Sequence, residues 1–206
     1  MTQILLIDNY DSFTYNLKHC VAVIDGVEVV VCKNDDDIVA LIKKHQISGV
    51  IIGPGPGSPQ EQEYFCNNSQ AIDYCQHNKI PLLGVCLGYQ GIFYHYGGHI
   101  SVCDTVFHGK VSDIDIIAKC PIFYGLPKRM SVMRYHSLQI VVDTMPDTFE
   151  LVAHIAKTPN TAVEAMAIQH KTLPIFGIQF HPESFISSGG QTIIDNFVKV
   201  CQGRLH

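Results

Sequence analysis

The segment Gly84, Val85, Cys86, Leu87 and Gly88 directly follows the apolar run Ile80 to Val85, and it restricts the fold more than any other stretch of the chain. A buried strand must turn sharply there into a helix, with a thiol at the bend. Small residues flanking a nucleophile allow such a turn, and they present the side chain at the strand's carboxyl end with helix amides around it. The positive end of the following helix favours thiolate over thiol. A second apolar run, Ile175 to Phe180, ends in His181, Pro182 and Glu183. Residues two apart in extended chain project to one side, so Glu183 is suited to hold the His181 imidazole in one tautomer and to stabilise its charged form. Cys86, His181 and Glu183 therefore read as nucleophile, base and orienter.

With eight cysteines in the chain, an average one is a small core residue, and it is the elbow together with the distant His-Pro-Glu that sets Cys86 apart. His136 is a rival base, but no carboxylate lies close to it in sequence to orient it. His95 and His99 are separated by Gly97 and Gly98, which break the helix that a metal-binding pair at that spacing would need, so no metal site is expected.

Short Val/Ile/Leu runs alternate with stretches of helical length, the pattern of an α/β fold with an open, mostly parallel sheet and helices on both faces. Strands are predicted at Gln3 to Asp8, Glu28 to Cys32, Gly49 to Ile52 and Pro81 to Val85. Helices are predicted near Phe13 to Val23, Asp36 to His45, Ser69 to Asn78 and Tyr89 to Tyr96. From Gly97 to Gln169 the pattern breaks into short β-like pieces separated by Gly, Pro and Asp. That change predicts a small antiparallel β excursion before the Ile175 strand and a closing helix near Thr192 to Cys201. The 206 residues are expected to form a single domain, 1–206, large enough to bury about 70% of its unfolded surface.

No Cys-x-x-Cys pair or zinc-type spacing is present, so a reducing, cytoplasmic setting fits best. Neither a secretory leader nor an apolar run of about 18 residues is found, which argues against secretion and membrane spanning. A formal net charge of −5 without a block of Lys or Arg argues against nucleic acid and for a small-molecule or protein partner.

The segment Gly53 to Pro59 alternates Gly and Pro directly after the third predicted strand, where open α/β sheets bind ligands. Such a stiff turn carries few side chains, so the amides of Gly55 and Gly57 can approach a bound group closely; the amide of Leu87, next after the nucleophile, supplies a second oxyanion donor. A merely rigid turn is the competing reading, and the Lys-Ser/Thr of a phosphate-binding loop is missing. Gln90, one helical turn beyond Cys86, is suited to hold the polar end of a substrate.

Six segments, in order over nearly the whole chain, resemble those of class I (triad) glutamine amidotransferases. They are Asp8-Asn9-Tyr10-Asp11-Ser12-Phe13-Thr14-Tyr15-Asn16-Leu17, Gly53 to Pro59, Gly84-Val85-Cys86-Leu87-Gly88-Tyr89-Gln90, His108-Gly109-Lys110, Arg134-Tyr135-His136-Ser137-Leu138 and Gln179-Phe180-His181-Pro182-Glu183-Ser184. The first and fifth are most similar to the free-standing glutaminase components of anthranilate synthase and aminodeoxychorismate synthase. The resemblance implies that Cys86, His181 and Glu183 form the triad and that Gly55, Gly57, Leu87, Gln90, Ser137 and Leu138 bind glutamine. It also implies a chorismate-binding synthase subunit as partner, either anthranilate synthase component I or aminodeoxychorismate synthase component I, and cytoplasmic residence. No cofactor is implied for this chain, and magnesium is expected in the partner. Two residues depart from the family's common pattern, Tyr89 where His is usual and Gly91 where Ala is usual. Gly91 in a helix should cost about 1 kcal/mol against Ala, and Tyr89 is expected near the partner surface or the glutamine pocket. Two readings of other classes compete, a cysteine hydrolase or peptidase on a similar sheet and a non-catalytic α/β binding module.

Overall fold

In β1 (Thr2–Asp8), Ile4 and Leu6 face one way and Leu5 and Ile7 the other, and all four are fully buried. A strand with two apolar faces must be covered on both, and the chain supplies helices to each. The computed structural model describes residues 1–155 and 163–206. On the Ile4 and Leu6 side lie α1 (Thr14–Ala22), through Leu17 and Val21, and α6 (Gly190–Cys201), through Ile193, Ile194 and Phe197. On the Leu5 and Ile7 side lie α2 (Ile38–His45), α4 (Asn68–Asn78) and α5 (Leu87–His95), with the one-turn α3 (Gln62–Phe65) contributing Phe65. Asp37 caps α2 by accepting the Ala40 amide at 3.0 Å, and Lys43, Lys44 and His45 occupy its last turn, a charge arrangement that suits the helix dipole.

The remaining strands are β2 (Val27–Lys33), β3 (Gly49–Ile52), β4 (Leu82–Val85), β5 (Ile100–Ile116), β6 (Arg129–Ile140), β7 (Phe149–Ile155), β8 (Glu164–His170) and β9 (Ile175–Ile178). Among the described residues they form one nine-stranded sheet in the order β2-β1-β3-β4-β9-β8-β7-β5-β6. The pairings from β2 through β9 are parallel, whereas those from β9 through β6 are antiparallel. The predicted excursion after Gly97 is thus β5 to β8, which continues the same sheet beyond β9. The β5/β6 pairing is interrupted between Val102 and Phe107, opposite Leu138 and His136, and the long strands bend there. The chain segments that follow β1, β3, β4 and β9 all leave the sheet at its carboxyl edge, where open α/β sheets bind ligands.

Gly84 and Gly88 are required for a reason other than turn flexibility. Cys86 itself adopts the left-handed backbone, with φ 52° and ψ −102°, while neither glycine has a positive φ. A Cβ on Gly84 would lie 2.5 Å from the Gly88 carbonyl oxygen, and one on Gly88 would lie 2.2 Å from the Ile52 carbonyl oxygen. The elbow is compressed onto β3, so only residues without side chains fit beside the strained cysteine.

The two departures at the start of α5 are core features. Tyr89 is fully buried, its hydroxyl donates to the Ala165 carbonyl at 3.2 Å, and it packs on Gly177, whose Cβ would meet the ring at 2.7 Å. The helix turns position 89 onto the sheet, away from the surface and the pocket where Tyr89 was expected. Gly91 faces Phe65, and a Cβ there would approach the ring to 2.0 Å. The gain of about 1 kcal/mol in helix propensity from Gly91→Ala is therefore outweighed by overpacking of roughly 1–3 kcal/mol. Urea unfolding of Gly91→Ala should show a lower midpoint than wild type, and Phe65→Leu in the same chain should recover part of the loss. A rise in midpoint for the single variant would contradict this packing.

Candidate active site

Strand β4 ends at Val85, and Cys86 occupies the N-cap position of α5, 6% exposed, with its amide donating to the Ile178 carbonyl at 2.9 Å. That bond ties the elbow to β9, the strand that leads to His181 and Glu183. His181 and Glu183 follow β9, and the His181 amide is held by the Met133 carbonyl of β6 at 3.0 Å. Ser187 Oγ locks the same loop, donating to the His181 carbonyl at 2.6 Å and accepting the Met133 amide at 3.0 Å.

His181 Nδ1 and Glu183 Oε1 are 2.5 Å apart, with both side chains almost wholly buried. Among the described residues Glu183 Oε2 and His181 Nε2 have no hydrogen-bond partner, so the carboxylate engages only the imidazole and leaves Nε2 free. Phe13 and Tyr135 wall the ring edge-on, with centroids 5.7 and 5.3 Å from it. Burial by itself would push the His181 pKa down, but interaction with Cys86 and then with Glu183 outweighs it and lifts the value to about 10. At neutral pH the ring is an imidazolium carrying a proton on Nε2. Burial instead pushes the thiols of Cys32, Cys75 and Cys120 up to about 12, which leaves them protonated and inert.

Gly55 lies against Leu87, where a Cβ would come within 2.6 Å of Leu87 Cδ2 and 2.5 Å of Asn9 Cβ. The two expected oxyanion donors thus belong to adjoining segments. Among the described residues neither the Gly55 nor the Leu87 main-chain N–H donates to another main-chain carbonyl. Leu87 is the first residue of α5, where no carbonyl of the helix itself is available. Gly57 has φ 72° and lies under the Tyr64 ring, which a Cβ would strike at 2.2 Å, so a left-handed turn and a close ring both demand glycine there. Asn9 holds the loop from below, its Nδ2 donating to the Gly53 carbonyl at 2.9 Å, and Asn68 fixes Asn9 by donating to its Oδ1 at 2.7 Å.

The bent β5/β6 pair reaches over the elbow. The Tyr135 carbonyl lies 3.7 Å from Cys86 Sγ, and the Leu138 carbonyl accepts from Gln90 Nε2 at 3.0 Å. Leu138 is half-buried beside Gln90, whereas Ser137 is exposed on β6. His136, the rival base, is buried in a different role. Its Nε2 accepts from Arg134 Nε at 3.0 Å, and its Nδ1 pairs with the Leu138 carbonyl at 2.8 Å. Burial, reinforced by the Arg134 charge, pushes its pKa down to about 4, so it is neutral. His95 pairs with Asp73 at 2.9 Å.

Sequence reasoning missed Phe13 and Tyr135 as walls of the imidazole, Asn9 as support for the Gly-Pro loop, and Gln179. Gln179 is fully buried between Gln90 and Cys86, at 2.9 Å from the former and 3.7 Å from Sγ. A signal for it exists in the sequence, a polar residue inside an apolar run, two positions before His181 and four before Glu183.

A parallel α/β sheet with a cysteine at one strand-to-helix turn, and a buried His–Glu pair after the neighbouring strand, is the arrangement that an enzyme with a cysteine nucleophile would need. This chain belongs to the class I glutamine amidotransferases: the family model described as Glutamine amidotransferase class-I matches residues 5–201. It is 38% identical to anthranilate synthase component 2 of Pseudomonas putida, over 98% of this chain and 98% of that protein. It is 41% identical to the aminodeoxychorismate/anthranilate synthase component 2 of Bacillus subtilis, over 95% of each chain. Among solved structures, the glutaminase domain of Trypanosoma brucei CTPS with bound acivicin shares the fold, with a TM-score of 0.77, 17% identity and coverage of 99% of this chain and 95% of that one. Among the described residues no helix is long and apolar enough to cross a membrane.

Proposed function

We propose that this chain is the glutaminase component of a chorismate-aminating synthase, hydrolysing glutamine at Cys86 and handing the ammonia to a chorismate-binding subunit. The observation that carries the chemistry is the buried His181–Glu183 pair, with Nε2 unpartnered among the described residues and with Cys86 near enough to raise the proton affinity of the ring. Cys86 Sγ attacks the side-chain amide carbon of glutamine, and the oxyanion that forms is held by the Leu87 and Gly55 amides. His181 passes the Nε2 proton to the departing nitrogen, ammonia leaves and a glutamyl thioester remains. Water then attacks the thioester carbonyl while the now neutral Nε2 takes its proton. Collapse releases glutamate and restores the thiolate–imidazolium pair. Glu183 holds the ring throughout.

Gln90 is placed to grip the polar end of glutamine, with Leu138 and Ser137 beside it on β6. Both Gln90 Nε2 bonds run to the protein, to Leu138 and Gln179, which leaves Oε1 for a donor such as the substrate ammonium. Support for a synthase partner comes from the relatives, named as components 2 of such synthases. Exposed apolar side chains fit that role, with Val102 69% exposed opposite Leu138 and Phe185 96% exposed two residues after Glu183. Magnesium is assigned to the partner's chorismate site.

Reconstitution with each chorismate-binding subunit of its own organism, supplied with glutamine, chorismate and magnesium, tests this function. The anthranilate synthase pairing is expected to yield anthranilate; aminodeoxychorismate alone would move the chain to the other synthase, and both products would make it a shared subunit. No ammonia released from glutamine in any pairing would sink the amidotransferase chemistry in this chain.

A further inference from the structure

Gln179 belongs to none of the groups that hold glutamine or move its proton in the mechanism above, yet it is fully buried and in contact with the nucleophile. Which end of its amide faces the sulfur follows from a chain of hydrogen bonds with obligatory polarities. An arginine side chain only donates, so Arg134 Nε, 3.0 Å from His136 Nε2, makes that nitrogen an acceptor. The neutral ring therefore carries its proton on Nδ1 and gives it to the Leu138 carbonyl at 2.8 Å. A carbonyl only accepts, so the Gln90 group 3.0 Å from Leu138 is its NH2, and the same NH2 donates at 2.9 Å to Gln179. Gln179 must receive that bond on Oε1. Its Nε2 is then the end that points at Cys86 Sγ, 3.7 Å away.

The start of this chain is itself immobilised. Arg134 is 1% exposed, donates to Glu164 Oε1 and, at 3.2 Å, to Ser112 Oγ, and stacks on the Phe107 ring with the guanidinium carbon 3.3 Å from its centroid. A rigid, always charged donor is well suited to fix a tautomer one residue pair away. Each member after it has one remaining option.

We infer that Gln179 is a further catalytic residue, whose Nε2–H donates a hydrogen bond to the Cys86 thiolate. The inference rests on the proposal that Cys86 is the nucleophile. A donor on the sulfur stabilises its anionic form in a site with little water. It also lets the His181 proton remain directed at the departing nitrogen, because the sulfur's charge is shared with a second group.

The test measures the rate of Cys86 alkylation by iodoacetamide against pH without glutamine, with the modified cysteine mapped by mass spectrometry, in wild type, Gln179→Met and Gln179→Glu. Removing one hydrogen bond to a charged group should move the acid limb of Gln179→Met up by about one pH unit and slow labelling on that limb roughly tenfold. Gln179→Glu, which replaces the donor by an acceptor, should slow it at least as much. Folded Gln179→Met with the wild-type profile would overturn the inference while leaving Cys86 as nucleophile. Slow labelling of Cys86 in wild type at neutral pH would overturn both. If the variants do not fold, side-chain amide resonances of Gln179 in wild type, labelled with 15N-glutamine, decide the matter. They should shift along the same pH curve as Cys86 labelling, and resonances that ignore it would refute the bond.

Discussion

Cys86→Ser should lower glutamine-dependent ammonia release by roughly 10⁴–10⁶, the scale on which removal of a nucleophile acts in a hydrolase whose parts work as a unit. The substitution changes one atom at a position already strained to φ 52°, so backbone and pocket have no cause to move. What disappears is the sulfur nucleophile, and a serine hydroxyl in the same place needs a base to take its proton where the ring is already charged. The complex with the synthase subunit should still aminate chorismate when ammonia is supplied directly. The paired assay separates lost chemistry from lost assembly: failure with both nitrogen sources would indicate a broken complex. Near-normal glutaminase activity in Cys86→Ser would remove Cys86 from the mechanism.

Glu183→Gln should lower kcat roughly 10²–10⁴ with a much smaller change in KM, since the side chain orients the base and does not touch the substrate. An amide can present either a donor or an acceptor to Nδ1, so the tautomer needed at Nε2 is no longer imposed, and the imidazolium loses its buried counter-charge. The same variant carries a stability signature whose sign follows from the His181 pKa, raised from 6.5 to about 10 in the folded protein. A raised value means that the folded state holds this proton more tightly than the unfolded chain does. Its contribution to stability is fully present below about pH 6.5 and is lost as pH rises through about 10. Glu183→Gln removes part of that contribution, so its deficit in urea midpoint relative to wild type should be greatest between pH 5 and 6.5 and shrink toward pH 10. A deficit that grows with pH over this window would mean that Glu183 does not stabilise the protonated ring.

Cys86, His181 and Glu183 were legible in the sequence as candidates because each sits at the end of an apolar run, where period-two burial stops and the chain must leave the sheet. The same signal placed β3 and the Gly53 to Pro59 loop at the carboxyl edge. The reason for the glycines was not legible: Gly84 and Gly88 look like hinges in one dimension, yet they are glycines because Ile52 and the α5 backbone leave no room for a Cβ. Gly91 looked like a flaw in a helix until Phe65, from a turn that sequence pattern did not show, was seen to fill the space beside it. His136 reads as a rival base in the sequence, but Arg134 and the Leu138 carbonyl determine what it does.

By itself the sequence determined the α/β class, the strand-to-helix elbow at Cys86, the His181 and Glu183 pair, and the family through six ordered motifs, because these depend on residue type and spacing within one short segment each. Only the tertiary structure decided that β5 to β8 extend the sheet past β9, that Phe13 and Tyr135 enclose the imidazole, and that Gln179 lies against the thiol. Those contacts join residues far apart along the chain, where neither periodicity nor propensity acts. They are set by which strands pair and by the direction in which a bent β5/β6 ribbon folds over the elbow.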